Sequence, residues 1–414
     1  MKRDTCRISG KKLKSVIDLG NLYVSNFYKE VDKNAPKSSL EIGIGEGSGL
    51  VQLMETPDQD FMYRQYWYKS GTNATMIGQL KEIVDVVPRW VRLKDGDIVL
   101  DIGCNDGTLL SHYPKDIKLT KVGIDPAKNL AQFATKHCDL YATDYFNKDT
   151  FARLTGKKKA KVITSIAMFY DLEEPHKFVD DIVSSLDDSG IWILQLSYTP
   201  LMIEQNAFDN ICHEHIEYYT LLSMDYLFRA HDLKIIDVEL NDVNSGSFRL
   251  VVTKKSNPLK ETTLFYRDIG EYRYNSTLVF EKSKDYGTPE AYLKFMKKIQ
   301  TLKEQTNDLF AKIAKAGKTV YGYGASTKGN TLLQYYQLRP KQIKAIAERQ
   351  PQKYGLLTAG SWIPIVSEEE TRKANPDYLF ILPWHFINEF VRRENEYLKN
   401  GGKFIVPLPE LQII

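Results

Sequence analysis

Residues 212–219 read CHEHIEYY, which crowds a thiol, two imidazoles, carboxylates and two phenols into eight positions. His213 and His215 stand two apart. An extended segment turns two such side chains the same way, whereas a helix separates them by about 200°. Two histidines at that spacing can begin a metal site, but zinc takes four ligands, or three and a water. No other His, Cys or Asp cluster lies nearby in the chain. A second chemistry is proton removal, because imidazole titrates near neutrality and is the commonest general base. A buried His–Glu pair that does no chemistry is the third reading. Proton removal is favoured by position: the stretch follows a strand and the segment SYTPLMIEQNAFDN, at the sheet edge where doubly wound folds hold ligands.

A second motif says what the site works with. IVLDIG (98–103) reads as a buried strand ending in a glycine turn, and the turn continues as DIGCNDG, Asp101 to Gly107. The glycines are not spaced G-x-G-x-x-G, the form that brings backbone amides to a pyrophosphate. Asp101 and Asp106 sit before the two glycines and would repel one. A ligand with a cationic centre and an amino-acid end suits them better. The next strand, KVGID, ends in Asp125 followed by Pro126, and an acid at that tip can accept both hydroxyls of a ribose. The pattern is that of a class I S-adenosylmethionine methyltransferase. It makes Asp101, Gly103, Asn105, Asp106, Gly107, Asp125 and Pro126 the expected cofactor residues. Thr143, Asp144, Tyr145 and Phe146 fall where adenine contacts belong. Ser165 to Met168 end the fourth strand, beside the methyl donor. A doubly wound fold with an ordinary tight turn is the alternative.

The elements around these motifs alternate. KVITSIA (161–167) and IWILQL (191–196) are further strands, with helical stretches between, which implies a parallel doubly wound sheet. LKIIDVEL (233–240) and SFRLVVTKK (247–255) form an antiparallel hairpin that closes it. A charged helical segment, roughly 258–316, leads to a second α/β alternation: TVYGYG, IKAIAE, DYLFIL and KFIVPL. Before residue 80 lies a smaller module with the apolar pieces KSVIDLG and GLVQLMET. The expected division is therefore 1–78, a small module; 79–256, a cofactor domain; and 257–414, a second Rossmann-like domain. The 414 residues are enough for several domains, and 43% hydrophobic content is enough for their cores. A net charge of +3 with interspersed signs argues against a dedicated nucleic-acid binder. No apolar run has the length of a membrane helix. The N-terminus has no signal-peptide core, and four scattered cysteines fit a reducing cytoplasm.

These motifs, in this order, resemble the sugar C-methyltransferases, which act on nucleotide-linked keto-deoxysugars. The resemblance rests on CRISG, DLGNLYVSNF, GLVQL, YRQYWYKSGTN, DIGCNDGTLL, FDNICHEHIEYY, NSGSFRL, GYGASTKGNTLL and PWHF, and covers nearly the whole chain. It implies that His215 is the base, that Glu214 assists it with His213 beside, and that Tyr66 and Tyr68 reach the sugar. It further implies that the sugar nucleotide lies between the middle and C-terminal domains. The reaction expected is removal of a proton beside a ketone, with Tyr68, Tyr218 or Tyr219 holding the enolate oxygen, and attack of the carbon on the methyl of S-adenosylmethionine. The loop 322–330, with Gly324, Lys328 and Asn330, is a candidate for the diphosphate. Arg249 either shares that task or anchors the hairpin. O- or N-methylation of a sugar nucleotide, and a non-catalytic S-adenosylmethionine-binding descendant, are the rival readings. Relatives hold zinc in the N-terminal module with two C-x-x-C pairs. This chain has Cys6 but Ser9, Gly45 and Ser48 at the other positions, so zinc is expected to be absent. Some relatives also have an aromatic residue where Cys212 stands.

Overall fold

The structure, a computed structural model, describes residues 1–57, 69–72, 74–243 and 246–414. The chain begins with strands β1 (Leu13–Tyr23), β2 (Phe27–Tyr28), β3 (Lys37–Gly45) and β4 (Val51–Leu53). β1, β3 and β4 are antiparallel neighbours. The fourth strand of their sheet comes from far along the sequence.

The central sheet follows. Its strands are β5 (Ile98–Ile102), β6 (Thr120–Ile124), β7 (Leu140–Ala142), β8 (Ala160–Ile166), β9 (Leu186–Ser197), β11 (Leu233–Asn241) and β12 (Ser247–Lys254). They lie in the order β11-β12-β9-β8-β5-β6-β7. β5 to β9 run parallel, and β12 is antiparallel to both β9 and β11, so the hairpin closes the sheet as its sequence pattern implies. The side-chain alternation explains why this sheet is buried on both faces. Ile98, Leu100, Ile102, Trp192, Leu194 and Leu196 pack into one core. Val99, Ile191 and Ile193 pack into the other, under the helix Ala74–Trp90. Strand order reverses between β5 and β8, which opens a crevice at their carboxyl ends.

β10 (Glu217–Tyr218) is the part of CHEHIEYY that sequence reasoning did not foresee as a strand. It pairs with β4, Glu217 opposite Gln52 and Tyr218 opposite Val51, and completes the N-terminal sheet.

Two long helices, Leu264–Ser283 and Pro289–Lys315, replace the single charged segment expected. The second buries Tyr292, Phe295, Ile299, Leu302, Phe310 and Ile313 at helical spacing. Then come β13 (Val320–Tyr323), β14 (Ile346–Glu348), β15 (Leu357–Thr358), β16 (Ile365–Ser367), β17 (Tyr378–Ile381), β18 (Lys403–Val406) and β19 (Gln412–Ile413). All but β15 form a sheet in the order β16-β14-β13-β17-β18-β19. β15 pairs with β2, and Gln334 bonds both ways with the Tyr23 backbone, so an N-terminal strap is tied to the C-terminal unit. One core joins Val16, Ile17, Leu40 and Ile42 to Phe208, Ile211 and Ile216 and on to Leu332, Ile346 and Phe380. The segment that carries the histidines is thus built into the core that joins the N-terminal sheet to the C-terminal one.

Candidate active site

The crevice at the strand ends is a cleft of roughly 1100 Å³ including its open mouth. Gly103, Asn105, Asp125, Pro126 and Met168 line it, all of them expected cofactor residues, with Tyr145, Phe146, Ile166 and Ala167. Asp125 is buried at the tip of β6, and its carboxylate accepts the amides of Asn105 (2.7 Å) and Ala127 (2.8 Å). Each oxygen keeps lone-pair capacity for a hydroxyl. Gly103 adopts φ +68, and a Cβ there would come within 3.3 Å of Met168 Cγ, so a side chain would narrow the cleft. Phe146 and Phe178 meet edge to face at 5.3 Å between centroids and supply an aromatic wall. An acid for the ribose, an apolar aromatic slot and a glycine turn together fit an adenosine moiety.

Five of the expected cofactor residues do other work. Asp101 turns into the sheet and accepts the Thr164 hydroxyl at 2.6 Å; burial raises its carboxyl to about 7. Asp106 accepts the Gly71 amide at 2.8 Å and the Thr108 hydroxyl, starting the helix Thr108–Ser111. Gly107 backs onto Ala134 and His137. Ser165 is buried and accepts the Trp192 indole N–H at 2.8 Å. Asp144 accepts the Tyr145 amide and the Thr150 hydroxyl. The acids of DIGCNDG therefore hold the loop in shape and do not line the cleft. Sequence reasoning missed Ser70, Leu172, Glu173 and Phe178 as cleft residues; Ser70 lies within YRQYWYKSGTN, where the motif was the available signal, and the other three belong to none of the quoted motifs. Glu173 is ion-paired with Arg7 at 3.0 Å and bonded by Thr56, which brings the N-terminal module to the cleft's rim.

A short turn, Phe169–Asp171, separates this cleft from the histidines. Tyr170 packs its ring against His215, tilted by 58° with 4.4 Å between centroids, and the Ile216 amide bonds the Tyr170 carbonyl. His215 Nδ1 lies 3.0 Å from the Asn210 carbonyl oxygen, and a carbonyl can only accept. Nδ1 therefore carries the proton and Nε2 the lone pair. Burial, and then the Lys328 ammonium, lower the imidazole to about 3, so it is neutral in ordinary buffers. Burial raises the Glu214 carboxyl to about 7, while Lys328 pulls it down.

His213 does not join His215. Its Nε2 meets the Ser38 carbonyl oxygen of β3 at 3.0 Å, so the two rings serve different neighbours across an irregular bend. Tyr219 is also turned away from the expected role: its hydroxyl donates to Glu217 at 2.9 Å. Tyr218 donates to the His215 carbonyl oxygen at 2.8 Å. Neither hydroxyl proton is left over for an enolate. Tyr66 and Tyr68 lie outside the described residues. Arg249 is an anchor: fully buried, it reaches Gln195, Glu239 and Glu82 and ties the closing hairpin to the helix Ala74–Trp90.

Lys328 crosses from the helix Thr327–Tyr335 to bond the Asn210 side chain. Its charge is felt by His215, Glu214, Asp209, Cys212 and His385. Trp384 Nε1 donates to Asp209 at 3.1 Å, so PWHF closes the same cluster. Gly324 is required by the close approach of Pro383, 2.6 Å from where its Cβ would be. Asn330 is buried against the Asn26 backbone, away from that cluster. Asn210, Tyr170 and His385 were not singled out from sequence. Asn210 lies within FDNICHEH, where the motif's extent was the available signal.

The N-terminal positions that resemble a zinc module come together without its donors. Cys6 Sγ is 3.2 Å from Ser48 Oγ, and Gly45 has no room for a side chain, since a Cβ would lie 2.5 Å from that sulfur. One thiol and one hydroxyl do not make a zinc–thiolate set. Among the described residues no group of three or more His, Cys, Asp or Glu side chains is placed to hold a metal. No helix among them is long and apolar enough to cross a membrane.

Residues 72–238 match the family described as a methyltransferase domain, and residues 242–409 match the C-methyltransferase C-terminal domain. The chain is 28% identical over 376 residues to C-methyltransferase NovU of Streptomyces niveus, covering 91% of this chain and 87% of that one. Among solved structures, magnesium protoporphyrin IX methyltransferase from Synechocystis PCC 6803 with bound SAM is 14% identical, with a TM-score of 0.33, over 44% of this chain and 81% of that one. The plantazolicin methyltransferase BpumL in complex with SAH is 13% identical, with a TM-score of 0.35, over 45% of this chain and 87% of that one. The chain is an S-adenosylmethionine-dependent methyltransferase, a methyltransferase domain followed by a C-methyltransferase C-terminal domain, and it is similar along most of its length to an enzyme named as a C-methyltransferase.

Proposed function

We propose that the acceptor is a nucleotide-linked keto-deoxysugar and that His215 is the base that prepares its carbon. The observation that carries this reading is the tautomer of His215: the Asn210 carbonyl holds the proton on Nδ1 and leaves Nε2 with a lone pair. The ring stands behind the turn Phe169–Asp171, whose neighbours Met168 and Leu172 line the cofactor cleft.

His215 Nε2 removes the hydrogen from the carbon beside the ketone. The Lys328 ammonium, with donors beyond the one given to Asn210, faces the oxygen on which negative charge develops. S-adenosylmethionine, when bound, supplies an electrophilic methyl on a sulfonium. The carbon then takes the methyl, and His215 returns its proton to solvent. Lys328 has a second effect. It disfavours imidazolium in the free enzyme, and an anionic diphosphate arriving beside it offsets that charge. That relieves the smaller of the two effects that lower the ring, burial being the larger. The N-terminal strap is tied to the helix that carries Lys328, through Ser25 to the Thr327 carbonyl and through the Asn26 carbonyl to Asn330. Tyr66 and Tyr68 remain candidates for sugar contacts by resemblance.

The test is incubation with a panel of nucleotide-linked keto-deoxysugars and S-adenosylmethionine carrying a 13C methyl. The expected product has the label on carbon, with a methyl signal coupled to a sugar carbon. A label on oxygen or nitrogen, or turnover of sugars lacking the ketone, overturns the reading.

A further inference from the structure

Cys104 belongs to the cofactor loop, between Gly103 and Asn105, and Cys138 precedes β7 on the far side of β6. Their sulfurs converge on Gly123 of β6. A Cβ on that glycine would lie 2.6 Å from Cys138 Sγ and 2.9 Å from Cys104 Sγ, so two thiols share the space that any other residue would fill. Both are reduced, and the two sulfurs face each other across that space. Cys104 is 4% exposed, whereas Cys138 is half-buried. Cys138 opens into a surface concavity lined by Lys115, Lys118, Lys121, Lys136 and His137, with Asp139 the only acid. Cations around a reachable sulfur favour attack on anionic reagents.

We propose that Cys104 and Cys138 form an oxidisable thiol pair: a modification site for small anionic disulfides, whose closure disturbs the cofactor loop. Cys138 attacks one sulfur of the small disulfide and expels the other half as a thiolate, leaving a mixed disulfide. Cys104 then attacks Cys138 Sγ, expels the second small thiolate and closes the Cys104–Cys138 bond. Two protein thiols lose two electrons and two protons; one small disulfide becomes two small thiols. Closure brings the sulfurs from van der Waals contact to a bond of about 2.05 Å. Cys104 is drawn towards β7, and its neighbours move with it: Gly103, which lines the cleft, and Asn105, whose amide is bonded to Asp125.

The experiment uses the full chain and oxidised glutathione, a disulfide with several carboxylates. Free thiols are alkylated and the peptides mapped by mass, and S-adenosylmethionine binding is measured by calorimetry before oxidation, after it, and after dithiothreitol. The expected result is a Cys104–Cys138 peptide pair lighter by two hydrogens. Cofactor affinity should fall about ten-fold or more and recover on reduction. Cys138→Ser should bind the cofactor as the wild type does and be indifferent to oxidant. Three results overturn the proposal: both cysteines alkylated after oxidation, or glutathione retained on Cys138 with Cys104 free; a closed bond with unchanged affinity; or an equal loss of affinity in Cys138→Ser.

Discussion

His215→Asn isolates proton removal from everything else the ring does. The asparagine Nδ2 can replace Nδ1 as donor to the Asn210 carbonyl, so the one hydrogen bond recorded for the ring is kept. The packed Tyr170 ring and the buried setting remain, and cofactor binding on the other side of the turn Phe169–Asp171 should be unchanged. What is lost is a lone pair on nitrogen. General-base removal typically lowers the rate about 10²–10⁴-fold, or roughly 3–5 kcal/mol in the barrier. The assay is initial-rate methyl transfer from labelled donor, beside exchange of the substrate's acidic hydrogen with deuterated water; both should fall together. A companion measurement addresses the state of the ring. Burial and Lys328 lower it to about 3, so the 15N shifts of His215 should stay those of the Nδ1–H tautomer from pH 8 down to pH 5. Lys328→Met should move its titration upward, because a repelling charge has gone. Near-wild-type turnover in His215→Asn with substrate bound, or titration of the native ring near the ordinary histidine value, would refute the reasoning.

Asp125→Ala should weaken S-adenosylmethionine binding about ten-fold or more, since a charged hydrogen bond is worth roughly 1.5–3 kcal/mol; unchanged affinity by calorimetry contradicts the ribose assignment. Glu217 is buried, and burial pushes its carboxyl up to about 8. The unfolded chain gives up that proton near the usual glutamate value, so this group's contribution to stability is full at low pH and falls as pH rises towards 8. Glu217→Gln should therefore melt near wild type at pH 4.5 and above it at pH 8, with a slope approaching about 1.4 kcal/mol per pH unit between. The opposite trend would mean the carboxylate is ionised in the fold. Elemental analysis should find no stoichiometric zinc, and chelators should leave the melting temperature in place; one firmly held zinc per chain sinks the expectation drawn from Ser9, Gly45 and Ser48.

The sequence by itself determined the central sheet and the cofactor. Short continuous apolar runs mark β5 and β9 as strands buried on both faces, and that pattern is local, so it can be read without the fold. The glycine turn and the acid at the tip of β6 are local too, and Gly103, Asn105 and Asp125 meet in one cleft. Direction of side chains was not legible. Asp101 and Asp106 look like ligands in DIGCNDG, but one faces Thr164 and the other the Gly71 amide, partners that lie 63 and 35 residues away. Arg249 is decided in the same way, by Glu82 across 167 residues. CHEHIEYY shows the limit most clearly. Its composition left metal binding, proton removal and a structural pair all open, and only the tertiary structure sent His213 to β3, Glu217 and Tyr218 into a strand beside β4, and His215 to the Asn210 carbonyl under Lys328. Spacing along a chain limits which residues can share a face. Which neighbour each side chain meets is set by elements distant in sequence that pack against it, and those contacts carry the proton positions, the burial and the charge on which the site's chemistry depends.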